Sequence, residues 1–484
     1  MNIKRAALRA SIAALLPFAG TAVAQTASPS QAETAGNSNA DLRREIEDQK
    51  QRLLILERKL EIQQEAVAAA VPTTPKVTAT ASRFQIGSAD GANFIRLRGT
   101  LHADNRVYGG DSVAESADTF ILRRVRPTLE GTFGNIFDFK FMPDFASGKT
   151  VIVDAYVAAR FAPATVLTVG KFKPPVGLER LQSSADLRFI ERALPTNLVP
   201  NRDLGLQLSG DFKGGAVSYA LGYFNGVTDG NSSDALATPD VESDTEGDYA
   251  ARLFFQPFVN SDNFNLRGLG FGVGTTWVDV DGSAANSALA AYRSPGQQSV
   301  FAYRANTATG VTPNNAAFAD GQRLRLAPQL YYYRGSFGLL GEYTTVEQDV
   351  SRTVGGVTRS DSLTHSAWQA QFSWFITGEE ETFRGFTPGS TYQVGKPGWG
   401  AFELVARVHE LDIDDAAFAG GADSFANPLT AVSKAQAYGI GVNWYPWNTV
   451  KLSLDYESTT FEGGAATGDR ADEKALLSRF AINF

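Results

Sequence analysis

The chain has 484 residues, 44 Lys and Arg against 52 Asp and Glu, a formal net charge of −8 and no cysteine. The acidic balance argues against nucleic acid as a partner, and the absent cysteines exclude a disulfide framework and a thiolate metal site. Gly (46), Phe (32) and Tyr (15) are abundant and Met is only 2, which favours strands over a helical domain.

Lys4, Arg5 and Arg9 precede the apolar run Ala10 to Ala19, and Ala22-Val23-Ala24 offers an A-x-A cleavage site. This pattern predicts a secretory signal peptide over 1–24; the run is too short for a membrane anchor. Its removal takes away three cations and no acid, leaving a net charge of −11. Residues 25–40 read as disordered. From Asp41 to Val67, the positions Leu42, Ile46, Gln49, Leu53, Leu56, Leu60, Gln63 and Val67 follow one another by four and three residues in turn. That spacing is a heptad seam, so 41–70 is expected to be a coiled-coil helix in the periplasm, the two seam glutamines fixing register. Pro72 and Pro75 mark 71–83 as a linker.

Beyond residue 84 the period changes to two. Ile95, Leu97 and Leu101 alternate with Arg96, Arg98 and His102; Phe137, Phe139 and Phe141 alternate with Asp138 and Lys140; Val450, Leu452 and Leu454 alternate with Lys451, Ser453 and Asp455. Sixteen such segments begin near residues 92, 118, 136, 151, 164, 204, 215, 248, 268, 322, 336, 363, 400, 436, 449 and 473. Connections alternate between short (134–135, 162–163, 213–214, 446–448) and long (173–203, 226–247, 281–321, 377–399, 413–435). An even strand number with short periplasmic turns and long outer loops is the habit of outer-membrane barrels. Tyr331-Tyr332-Tyr333, Trp374-Phe375 and Trp444-Tyr445 are expected in the interfacial girdles, and the chain ends on an aromatic, Phe484. The expectation is an all-β, 16-stranded antiparallel transmembrane barrel over 84–484, embedded in outer-membrane lipid and lipopolysaccharide.

The stretches "GKFKPPVGLERLQSSADLRFIERALPTNLVPNRDLG" (170–205), "FILRRVRPTLEGTFGNIFDFKF" (120–141), "FITGEEE" (375–381) and "YGIGVNWYPWNTVKLSLDYE" (438–457) resemble the phosphate-selective porin O/P family. The resemblance implies a sixteen-stranded barrel, usually a homotrimer, that conducts anions and in some members prefers inorganic phosphate or polyphosphate. It also implies that the third outer loop, 173–203, folds inward as a constriction. Residue by residue it carries over Arg123, Arg124, Lys140, Asp154, Arg180, Ser183, Ser184 and Arg192 as pore or filter positions. Two positions depart from the pattern. Ala185 stands where phosphate-selective members carry lysine, and Thr100 where they carry arginine.

The residues themselves suit an anion filter. An anion in a narrow constriction loses hydration that fixed cations must replace, and the planar guanidinium fits oxyanion edges. Arg188 stands between Arg180 and Arg192 in the same loop. By alternation Arg96, Arg98 and Lys140 face inward, and Arg124 and Arg126 share one face. Arg123 is off that phase, so it belongs at a strand end or a bulge. Arg180 beside Glu179 and Arg192 beside Glu191 also fit a bracing role. His102, His365 and His409 show no metal-ligand spacing, and no nucleophile elbow accompanies a base; no cofactor and no enzyme activity is expected. Two readings stay open beside the anion channel: a general or cation-preferring porin, and a barrel-anchored tether to peptidoglycan or another envelope layer through the coiled coil.

Overall fold

A computed structural model of the chain describes residues 34–69, 74–80, 83–109, 117–233, 246–282, 286–305, 315–385 and 388–484. The expected signal peptide lies outside them. The helix α1 spans Thr34–Ala69 and so begins at Thr34 rather than at residue 41; once nucleated, a helix propagates at little cost through residues such as Ala35 and Ala40. Its seam residues Leu42, Ile46, Leu53, Leu56 and Leu60 are 50% to 65% exposed, while Asp48 and Arg52 pair at 2.9 Å one turn apart.

The expected linker over 71–83 holds a strand. Lys76–Thr80 forms a hairpin with Arg83–Gly87, whose second strand adds to the start of the barrel through Phe84 opposite Leu97 and Ile86 opposite Ile95. Val77 and Thr78 explain the strand, since β-branched residues suit a pleated surface.

Sixteen strands then follow: β1 (Phe94–Gly109), β2 (Thr119–Phe133), β3 (Phe137–Asp144), β4 (Val151–Ala162), β5 (Thr165–Phe172), β6 (Asp203–Phe212), β7 (Val217–Phe224) and β8 (Asp248–Phe255). The second half is β9 (Leu269–Asp281), β10 (Ala317–Arg334), β11 (Phe337–Val354), β12 (Val357–Phe375), β13 (Ala401–Asp412), β14 (Val432–Trp447), β15 (Val450–Ala465) and β16 (Glu473–Asn483). Each pairs antiparallel with its sequence neighbour, and β16 returns to β1 with Asn483 opposite Thr100 and Lys474 opposite Gly109. The sheet is therefore a closed barrel, the form that satisfies every backbone group in lipid. Phe484 finishes the seam by exchanging two backbone hydrogen bonds of 3.0 Å with Gly99. A Cβ at Gly99 would lie 2.5 Å from the Phe484 ring, so only glycine lets the terminal aromatic cross β1 there.

Connections sort onto two ends by parity. Turns 134–136, 163–164, 213–216, 256–268, 335–336 and 448–449 lie at one end with both barrel termini, here the turn end. The long segment 376–400 also belongs to this end, not with the outer loops as its length suggested. Conversely, β11 and β12 run 18 and 19 residues and meet at the opposite, loop end in a two-residue Gly355-Gly356 turn. Length alone does not report the side; the strand count does. No described helix is long and apolar enough to cross a membrane; the spans are strands.

The outward faces carry the exposed Leu97, Leu101, Phe141, Val169, Leu221, Leu339 and Leu454. Aromatic pairs at strand ends make two girdles: Phe212–Tyr219, Phe337–Trp374 and Phe402–Trp444 at the turn end, and Tyr223–Tyr249–Trp277 at the loop end. The expected aromatic clusters divide between the faces, because adjacent strand residues point opposite ways. Tyr332, Trp374 and Trp444 turn out, whereas Tyr331, Phe375 and Tyr445 are buried inside.

Candidate functional site: the loop-narrowed lumen

The loop 173–202, called L3 from here, leaves β5 at the loop end. Pro174 and Pro175 lack the N–H that would extend the sheet. Gly177 then takes φ +78°, with the Val199 side chain 3.0 Å from where its Cβ would stand. From here L3 descends into the barrel. Its apolar side chains dock on the wall from β8 onward: Leu178 against Phe254, Tyr331 and Leu340, Val176 and Val199 against Ala327, and Ile190 against Ala475 and Leu477. Leu194 and Leu198 join Val346, Leu363 and Leu411. The inward face is therefore not uniformly polar, since an apolar patch receives the loop.

Polar wall residues clamp the L3 backbone. Glu342 accepts from Leu178 N at 2.6 Å, Asp455 from Ile190 N at 2.6 Å, and His409 Nδ1 from Leu194 N at 3.1 Å. Lys451 donates to Leu187 O at 2.7 Å, Asn443 to Arg188 O at 2.8 Å and Arg479 to Ile190 O at 2.8 Å. Each buried backbone group of the loop that finds such a partner avoids the cost of desolvation without a hydrogen bond. Glu191 is the main ionic anchor, pairing with Arg123 at 2.6 Å and Arg106 at 2.7 Å. Burial raises its carboxyl, but the Arg123 guanidinium outweighs that and holds it well below the usual carboxylate range. Arg123 is the unpaired residue of a β-bulge, where β1 and β2 shift register between His102 and Ala103. The bulge re-aims its side chain toward L3.

The cations of the site fall into two groups. Arg188 is 3% exposed and stands 2.8 Å from Glu403, with Glu381 and Thr382 O also accepting from it. It ties L3 to β13 and to segment 376–400. Lys173, Arg180 and Arg192 differ: within L3 they meet only backbone carbonyls. Lys173 donates to Gln182 O at 2.6 Å, Arg180 to Thr196 O, and Arg192 to Gln182 O at 3.0 Å and Glu179 O at 3.2 Å. None of the three forms an ion pair among the described residues. The adjacent acids serve elsewhere, since Glu179 accepts from Ala193 N at 2.9 Å and Gln369 at 3.1 Å.

Charge crowding follows. Burial, then the neighbouring Arg202 and Arg192, push the Lys173 ammonium well below its ordinary value. Burial, then Arg192 and Arg202, do the same to Arg180, and burial pushes Arg192 down to about 10 despite Glu179 nearby. Arginine stays protonated at neutral pH, so these directions record first the burial of the three cations and then their mutual repulsion.

The facing wall is β1 to β5. Arg202 pairs with Asp154 at 3.2 Å and Lys140 with the same carboxylate at 2.8 Å, so Asp154 orients two cations. Arg126 pairs with Asp144 at 2.7 Å, and Arg124 donates to His102 Nδ1 across 3.2 Å. Arg96 and Arg98 share Glu130 at 3.3 and 3.6 Å near the turn end. Ser183 is exposed and Ser184 half-buried at the L3 tip, beside Ala185 and Asp186. The structure thus brings Arg180, Arg192, Asp154 and Lys140 toward one lumen and places Arg96 and Arg98 at its mouth. Arg188 and Arg123 act as braces. Arg126, on the inward phase of β2 that its alternation with Arg124 indicated, joins the cationic ring. Lys173 and Arg202 complete it without having been singled out, and their signal was position, at the two stems of L3.

Comparison with known proteins bears on this geometry. The family described as "Phosphate-selective porin O and P" matches residues 95–484. Porin O of Pseudomonas aeruginosa is 24% identical over 399 residues, covering 78% of this chain and 86% of that protein. Among solved structures, the outer membrane channel DcaP of Acinetobacter baumannii is similar with a TM-score of 0.48 at 11% identity, covering 81% of this chain and 98% of that one. An anion-selective porin from Comamonas acidovorans has a TM-score of 0.48 at 10% identity, covering 81% and 100%. With a closed sixteen-stranded barrel, an inward loop and a family match across all sixteen strands, the chain belongs to the phosphate-selective porin O and P family.

Proposed function

We propose that this outer-membrane porin passes anions through the gap between L3 and the β1–β5 wall, with phosphate-type oxyanions among its cargo. One observation carries the reading: Lys173, Arg180 and Arg192 are held in the lumen by backbone carbonyls, with no carboxylate paired to them. Cations so placed lack counter-charge until an anion arrives. A ring of several moderate sites also suits passage, because one very tight site would trap the ion. Arg202, Lys140 and Arg126, each tied to one acid, extend the path along the wall. Ser183 and Ser184 offer hydroxyl donors at the turn-end exit. The missing cations at Thr100 and Ala185 favour a broader anion preference over strict phosphate selectivity.

By this reading the turn end faces the periplasm and α1 extends there. Association of three copies is supported by the wall itself. β3, β5, β7 and β8 have only 8 residues each, about 19 Å of height at the usual rise and tilt, short of an apolar band of about 25 Å. A wall that low suits contact with other copies better than lipid. The test is phosphate titration of the chloride current in planar bilayers. Saturating block that weakens in Arg192→Ala supports the filter; a current indifferent to phosphate removes it.

A further inference from the structure

We propose that a recess at the turn end, beside segment 376–400 and apart from the L3 filter, binds planar aromatic carboxylates. This rests on the lumen being a water-filled path that anions enter. The cavity holds about 540 Å³, within the size range of small-molecule sites. Its lining combines two features that the L3 cations lack together. The first is a set of arginines on neutral partners. Arg252 donates to Gln329 Oε1 at 2.8 Å, Arg267 to Ser261 O at 2.9 Å and Arg334 to Asn265 Oδ1 at 2.6 Å. These three and Arg384 form no ion pair among the described residues. The second is a wall of rings: Tyr331 stacks on Phe383 at 5.1 Å and 19°, and Phe254 lies 5.2 Å from Tyr331 with the Arg252 guanidinium 4.4 Å above it.

An inorganic oxyanion gains nothing from ring faces, which cannot donate hydrogen bonds. A planar aromatic body gains from stacking, and its carboxylate gains from the guanidinium planes. The acids present do not cancel the site. Asp211 and Glu380 are exposed at the rim, and Glu381 is turned toward Arg188. Phe383 and Arg384 sit on a segment outside the barrel strands, so they can be changed without touching the sheet.

The test is calorimetric titration of the detergent-solubilised full chain with benzoate and with acetate, which carries the same charge without the ring. Benzoate is expected to bind saturably and about tenfold tighter than acetate, and Phe383→Ala or Arg384→Gln to weaken benzoate several-fold. Equal affinity for the two acids, or benzoate binding unchanged in both variants, overturns the assignment. No current is measured, so a pore that fails to prefer anions would remove the filter reading and leave this result standing.

Discussion

At the scale of single residues, what separates the arginines of this lumen is not their exposure but their partners. Arg188 meets two carboxylates; Arg180 and Arg192 meet carbonyls. The two kinds should respond differently to substitution. Arg192→Ala is expected to raise the phosphate concentration for half-block about tenfold, the loss of one close charge at an effective dielectric between water and protein. Arg188→Ala instead leaves Glu381 and Glu403 buried without their cation, which costs about 3–5 kcal/mol; it should lower the melting temperature and leave ion preference unchanged. Ala185 borders a recess with Arg98 and Lys451. Ala185→Lys should therefore strengthen phosphate block, read in the same titration. Alternation made the inward Lys140, Arg96 and Arg98 legible in the sequence, and it flagged Arg123 as out of phase, where the structure has a bulge. Partners were not legible. Glu179 and Glu191 stand next to Arg180 and Arg192 in sequence, yet Glu191 braces Arg123 and Arg106 across the lumen. Neighbours along an irregular loop point in unrelated directions, so adjacency carries no pairing information.

At the scale of elements, L3 is held by its backbone and by one depressed carboxylate. A group whose pKa is lowered on folding contributes stability above its unfolded value, about 4.3, and loses it as pH falls through the lower folded value. Burial opposes this for Glu191, but Arg123 prevails. The share of L3 anchorage that Glu191 supplies should therefore persist down to about pH 5, and the channel noise that follows its loss should appear only in stronger acid. Glu191→Gln should show that loosening already at pH 7; a variant as quiet as the parent at pH 7 would remove Glu191 from the role of anchor. The place where L3 begins was readable from Pro174 and Pro175. Where it lands was not, because the apolar patch of Ala327, Val346, Leu363 and Ala475 is assembled from four strands that all lie far from the loop in sequence. The same limit hid the side of segment 376–400, which strand parity settles and loop length does not.

At the scale of the whole molecule, the sixteen strands were legible because polarity alternates along most spans and turns punctuate them. The number of copies was not, since it depends on faces that a single chain leaves uncovered. The low wall at β3, β5, β7 and β8 and the exposed seam of α1 are what the proposed association rests on. Deleting residues 41–70 should lower the temperature at which the oligomer dissociates, followed by native electrophoresis, while single-channel conductance stays unchanged. The central assignment is the sign of the lumen's preference. The most direct measurement is the reversal potential of the full chain in planar bilayers under a potassium chloride gradient. An unpaired Lys173–Arg180–Arg192 cluster predicts an anion-selective potential that collapses toward zero when Arg180 and Arg192 are both replaced by Gln. A cation-selective or zero potential in the unmodified protein would contradict it.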